Sequence, residues 1–303
     1  MTLVACGDDG GEAQPTPEGT HYQYVSSEAF VPTNNNQARE YGLDLNGDKT
    51  PDNQLGMVLG TLATMNIDVQ GSITDAVLEG SIILLIDFQT KDFTNTTAAG
   101  LKVLLGDNPM PQPCTDPDNP TPATCGKHLD GTGMFSIDAN SPSSAAVAGK
   151  IINGTFNGGP GNLSLQISLG DGDPVQLDLI GARAKASGIT ETDISTVILA
   201  GALTESDLNT KVIPAIQGQI GPLIERDCMN PAPPNCNCTS GSTGATVLNL
   251  FDADKNCAVS VDEIKNNSLI QSLLAPDVEV NGTPALSLGI KVVAKKATFP
   301  AQD

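Results

Sequence analysis

In the segment NLSLQISLG, Leu163, Leu165, Ile167 and Leu169 alternate with Ser164, Gln166 and Ser168. That two-residue period is the mark of a strand with one buried face. PVQLDLIGARAKASG begins the same way with Val175, Leu177 and Leu179, and its alternation slips by one at Ile180-Gly181, which predicts a β-bulge. KIINGTFNGG, FSIDAN and STVILAGAL read as further strands, and SIILLIDFQT, a short apolar run, reads as a buried strand with GLKVLLGD as its neighbour. In ALSLGIKVVAKKATF, Leu286, Leu288, Ile290, Val292 and Ala294 share one face while Ser287, Lys291 and Lys295 share the other. Asn153-Gly154, Asn157-Gly158 and Asp171-Gly172 are hairpin-turn dipeptides. Strands at this spacing predict a sandwich or a barrel.

Two regions change period. NQLGMVLGTLATM sets Leu55, Leu59 and Leu62 on one helical face, and ITDAVLEG forms a second short helix ended by Gly80. In TESDLNTKVIPAIQGQIGPLIERDC, Thr204 is the N-cap with Asp207 three residues on, and Leu208, Val212, Ile216, Ile220 and Leu223 form an apolar stripe. Pro214 must kink or restart that helix, and Gly221-Pro222 can break it again. The predicted fold class is therefore α+β and mainly β: an antiparallel sandwich or barrel-like domain with packed helices. Residues 1–20 read as a tether, 21–226 as the β-rich domain, 227–280 as an inserted cysteine-rich helical module, and 281–303 as a final strand returning to the β domain.

Composition removes several function classes. The formal charge of −20 repels phosphate backbones, so nucleic acid is excluded as a partner. Aromatic residues are 3% and tryptophan is absent, which disfavours stacking platforms for glycans or single strands. GxSxG, GxxxxGK[ST], HExxH and dinucleotide motifs are missing, and His21 and His128 alone leave little room for a Ser-His-Asp arrangement. The expectation is a protein that is not an enzyme.

LVAC, Leu3 to Cys6, precedes the small, acidic run GDDGGEAQPTPEGT, which cannot bury a core. The four residues match the lipobox, so the N-terminus resembles that of a bacterial lipoprotein. That resemblance implies a lipid on Cys6, a membrane partner through it, and a place in the cell envelope at the outer membrane or cell surface. A signal peptide needs a basic region and an apolar stretch of about 7–15 residues, so this reading expects an in-frame leader before LVAC. Setting Cys6 aside leaves Cys114, Cys125, Cys228, Cys236, Cys238 and Cys257, an even set that suits three disulfides in an oxidising compartment. Cys114 and Cys125 staple the long Pro- and Asp-rich loop of residues 106–133. Nothing else approaches the ~20 apolar residues of a membrane helix.

FDADKNCAVSVDEI carries the sharpest chemistry. Ca²⁺ takes about six to eight oxygens from a flexible loop. Asp252, Asp254, Asn256, the Ala258 carbonyl, Ser260 and Glu263 fall at the ligand positions of a loop that resembles an EF-hand over residues 244–274, with Val259 as the apolar anchor. TGATVLNLF and SVDEIKNNSLIQSLL supply the flanking helices. Cys257 stands where an EF-hand needs glycine, at a position of positive φ that costs other residues about 1–2 kcal/mol. A disulfide to Cys257 can hold that turn instead. The expectation is Cys238–Cys257 with Cys228–Cys236; the alternative is Cys236–Cys257 with Cys228–Cys238, and the sequence does not decide between them. A second loop, YGLDLNGDKTPDNQLG, resembles the DxNGD loops of dockerin-like repeats, with Asp44, Asn46, Asp48, the Thr50 carbonyl and Asp52 as ligands and no acid at the twelfth position, Leu55.

The implied cofactor is Ca²⁺ acting as a structural clip, in a monomeric, non-enzymatic surface lipoprotein that binds or adheres to a partner. Two other readings stand beside it. One is a carrier of a lipid or other hydrophobic ligand, with VILAGAL and the Leu208–Leu223 stripe lining a cavity. The other is a hydrolase using paired carboxylates.

Overall fold

The structure, a computed structural model, describes residues 14–64, 68–114, 125–167 and 174–301. Cys6, Ser168, Leu169, Asp171-Gly172 and the side chain of Leu62 fall outside what it describes. The chain opens with β1 (Thr20–Phe30), α1 (Asn35–Tyr41), α2 (Gln54–Thr64) and α3 (Val69–Leu78). Seven strands follow: β2 (Leu84–Thr90), β3 (Thr96–Met110), β4 (Met134–Ile137), β5 (Ala146–Ile152), β6 (Thr155–Ile167), β7 (Val175–Ile189) and β8 (Asp193–Thr204). The helical part comprises α4 (Glu205–Asp207), a π-helical turn (Leu208–Val212), α5 (Ile213–Asp227), α6 (Thr243–Phe251), α7 (Val261–Asn266) and α8 (Ser268–Leu273). β9 (Val278–Val280) and β10 (Thr283–Lys296) end it.

Eight strands pair antiparallel in the order β1-β2-β3-β5-β6-β7-β8-β10, and β10 pairs back onto β1, so the sheet closes into a barrel. Eight strands leave an interior about wide enough for side chains to fill. Directly paired residues share a face: Tyr24, Ile86 and Val103 form one inward row, and Phe88, Leu101 and Val147 the next. Leu165 faces Leu177, and Leu199 faces Ile290, all buried. Phe88 and Phe156 meet edge-to-face with centroids 5.1 Å apart, a geometry aromatic quadrupoles favour. The bulge expected at Ile180-Gly181 is present: the β7–β8 register shifts between Ile180 and Arg183, and Gly181 has φ +59°. It switches the inward set from Leu177 and Leu179 to Ala182, Ala184 and Ala186. Asn153-Gly154 makes the β5–β6 turn, whereas Asn157-Gly158 lies within β6, paired to Lys150 and Gly149. The single residue pair cannot act as a turn there because the strand on either side is already in register.

β1 closes the barrel although its sequence, THYQYVSSEAF, lacks strict alternation. Both its faces are covered: Tyr24 points into the barrel, and Val25 lies against Leu85 on the outside. α3 packs over β1 and α2 over β10. Near its start β10 runs past the end of β1 and would expose backbone groups. Asn53 takes them over, accepting from Gly289 N (2.9 Å) and donating to Gly289 O (2.9 Å), while also capping α2 through Gly56 N (3.0 Å). Asp277 does the same two residues back, accepting from Ser287 N (2.8 Å) and Ser287 Oγ (2.5 Å). β9 pairs with the remaining edge from Thr283 to Ala285.

The long helix behaves otherwise than its prolines indicate. The π-helical turn ends at Val212 and α5 restarts with Pro214 in its first turn, where a missing N–H is harmless. Gly221-Pro222 does not break it. α5 packs on α6 and α7 more than on the barrel. The helical appendage meets the barrel along an apolar seam of Leu203, Leu208, Ile213 and Leu286 against Ile270 and Leu274, around a crevice of about 370 Å³. Part of the stripe foreseen as a cavity lining therefore lies outside the barrel, at its mouth.

Candidate metal centre

α6 and α7 flank the acidic loop. Ser242 caps α6 by accepting from Ala245 N (3.2 Å), and Val247, Leu248 and Phe251 are its buried face. α7 starts with a capping box: Ser260 Oγ accepts from Glu263 N (3.2 Å), and Glu263 Oε2 accepts from Ser260 N (2.9 Å). Between the helices the chain must reverse with its amides turned inward. Asp252, only 3% exposed, accepts from Asn256 N (3.0 Å) and Cys257 N (3.1 Å). Asp254 accepts from Asn256 N (3.1 Å), and Asn256 Oδ1 from Ala258 N (2.8 Å). Glu263 Oε1 reaches back across the loop to Ala253 N (2.8 Å) and Asp254 N (3.3 Å). Burial pushes the Glu263 carboxyl up, but these hydrogen bonds from Ser260, Asp254 and Ala253 outweigh it and hold the group below the usual range.

Carboxylate oxygens of Asp252, Asp254 and Glu263 lie within 4.8 Å of one another. The loop thus brings the acids at its first, second and last ligand positions to one centre. Val259 is buried at 4%, and its carbonyl accepts from Gln217 Nε2 (3.1 Å), which fastens the loop to α5. Ile264 is fully buried beneath it. Below α7, Asn267 Nδ2 donates to Leu250 O (2.8 Å) and ties the end of α6 to the start of α8.

Cys257 has φ +70°, the left-handed conformation the missing glycine would take. Its disulfide partner is Cys236, and Cys228 pairs with Cys238. The favoured connectivity, Cys238–Cys257 with Cys228–Cys236, is overturned in favour of the alternative. The reason is local pairing. Cys228 and Cys238 face each other across an antiparallel bridge that Met229 N–Asn237 O (3.2 Å) and Thr239 N–Asp227 O (2.9 Å) flank. Cys236, two residues before Cys238, is left to meet Cys257 of the loop. Cys114 and Cys125 are bonded as expected.

The 44–52 loop is arranged differently. Asp44 accepts from Gly47 N (2.6 Å) and Lys49 N (2.9 Å), Asn46 from Asp48 N (3.0 Å), and Asp48 from Thr50 N (2.7 Å). Asp52 turns to Leu45 N (2.7 Å), and burial first, with Asp277 and Asp48 adding, raises its carboxyl above the usual range. Its side chains serve successive Asx turns, and among the described residues Asp44, Asp48 and Asp52 form no cluster as tight as that of Asp252, Asp254 and Glu263. The Thr50 carbonyl belongs to an exposed turn residue.

Sequence reasoning passed over one polar pair. His21 Nδ1 lies 2.8 and 3.0 Å from the two carboxylate oxygens of Asp87 on the outer face of β1 and β2. Asp87 is the lone acid in the apolar run SIILLIDFQT, and that was the available signal. Compared with known protein families, curated proteins and solved structures, the chain matches none of them.

Proposed function

We propose that this is a calcium-binding, lipid-anchored protein of the bacterial cell envelope, with a binding or adhesion role and no catalytic one. In this reading Ca²⁺ is held by Asp252, Asp254, Asn256, the Ala258 carbonyl, Ser260 and Glu263 and fixes the helical appendage against the barrel. The observation that carries it is the convergence of Asp252, Asp254 and Glu263 within 4.8 Å inside a helix–loop–helix whose sixth position has positive φ. The donor set is all oxygen, as a hard cation prefers. The carboxylate oxygens of Asp252 and Asp254 each accept one hydrogen bond and keep a further lone pair, whereas both Glu263 oxygens accept two, so Glu263 exchanges loop hydrogen bonds for the ion. The three disulfides support an oxidising compartment, and with LVAC they support the anchored-envelope part of the reading.

Extracellular modules of this kind bind at about 10⁻⁴–10⁻³ M. Free calcium tenfold above such a Kd adds about 1.4 kcal/mol of stability. Thermal melts in calcium and in EDTA should therefore differ, and Glu263→Gln should remove most of the difference. Identical melts for the parent protein would sink the metal reading. Membrane partitioning that survives Cys6→Ser would refute the anchor.

A further inference from the structure

We infer that the outer face of β2, β3 and β5 is a binding groove for a small amphipathic carboxylate. Helices cover the outer faces of β1 and β10, and β9 covers the start of β10. Over β2, β3 and β5 lies a strap, residues 14–18, in which Glu18 N bonds Ala98 O (3.1 Å) and Gln14 Nε2 bonds Gly159 O (3.0 Å), and Ala301 of the segment after β10 borders the same face. Beneath the strap a groove of about 640 Å³ remains, within the ~300–1,000 Å³ typical of ligand sites.

Strand register sets its chemistry. One outward row runs Asp87–Lys102–Ala146, and the next runs His21–Gln89–Gly100–Ala148. Polar groups therefore gather on the β1–β2 side. The β5 side is floored by Ala146 and Ala148 and bounded by Pro160 and Pro17. A β-carbon on Gly100 would stand 2.6 Å from Pro17 Cγ, so the glycine is what lets the strap lie close.

Most of the polar lining is already engaged. Asp87, 5% exposed, is held by His21, and Gln89 Nε2 reaches Gly19 O (3.4 Å). Glu18, the acid of the strap, pairs with Lys91. Lys102 sits opposite Asp87 in the ladder, yet its ammonium has no ion pair among the described residues. Because His21 engages the Asp87 carboxylate, the half-buried Lys102 ammonium is left to take an anion from a ligand. A ligand carboxylate on Lys102 with an apolar body over Ala146, Ala148 and Pro160 satisfies both halves of the groove.

The probes are decanoate, decylammonium and decanol, titrated calorimetrically and by saturation-transfer NMR into the protein. Decanoate is expected to bind and the other two to bind at least about tenfold more weakly, with Lys102→Gln costing decanoate about tenfold. Ala148→Phe should abolish binding by filling the floor. Should Ala148→Phe fail to fold, Lys102→Gln, a change at a partly exposed position, decides alone. No decanoate binding, equal binding of decylammonium, or unchanged affinity in Lys102→Gln overturns the proposal. Because the groove lies apart from the acidic loop, EDTA should not alter decanoate affinity.

Discussion

The barrel and the helical appendage hold themselves together by different means. The barrel buries Phe88, Phe156 and continuous rows of Leu, Ile and Val from eight strands. The segment between α5 and β9 has three helices of nine, six and six residues, too short to be stable alone. It relies on two disulfides, on caps from Ser242, Ser260 and Asn267, and on the acidic loop. Apolar burial is cooperative and tolerates no gap, whereas crosslinks and caps act one segment at a time.

The contrast can be broken at either end. Phe156→Ala should cost about 4 kcal/mol, because the surrounding barrel cannot collapse into the void. Urea unfolding should show that loss as a lower midpoint for the whole protein. A second disruption, Cys236→Ser with Cys257→Ser, should cost about 3 kcal/mol on the chain-entropy model. Hydrogen exchange should place that loss in residues 243–274 while the barrel amides stay protected; equal acceleration in β7 and β8 would show one cooperative unit instead. Smaller still is the calcium increment, about 1.4 kcal/mol at tenfold excess over Kd, read as the melting difference that Glu263→Gln removes.

The smallest effect concerns pH. His128 is fully buried between Val77 and Phe135, and its Nε2–H donates to Val77 O (3.3 Å), since a carbonyl can only accept. Burial pushes its pKa down, with the Val77 carbonyl and Asp130 opposing. The folded state therefore resists a proton that the unfolded chain accepts near pH 6.5. Stability from this group is complete above that pH and falls as the pH drops below it towards the lower folded value. His128→Leu should flatten this part of the stability profile between pH 7 and 5.

The barrel strands were legible wherever polar residues alternate with apolar ones, even where the polar face is itself covered, as at Ser164 and Ser287. Leu163 to Ile167 and Leu286 to Ala294 carry the alternation that a half-buried strand requires. β1 was not, because apolar Val25 lies on its outer face under α3 and a register shift between Ser26 and Glu28 breaks the alternation. At the acidic loop the ligand spacing was visible because helix and turn geometry fix it within twelve residues. The disulfide partner of Cys257 was not, since Cys236 and Cys238 differ by two positions in sequence and only the bridge between Cys228 and Cys238 distinguishes them. The His21–Asp87 pair joins residues 66 positions apart, which no local pattern encodes.

Closure of the barrel joins Tyr24 to Lys296, the far ends of the described strands. No intermediate lacking β10 can complete the cylinder, so β1 and β8 each keep an open edge until β10 is in place. Such sequence-distant pairing makes assembly slow and leaves sticky strand margins in the meantime. Any truncation before Thr283 should therefore aggregate rather than fold.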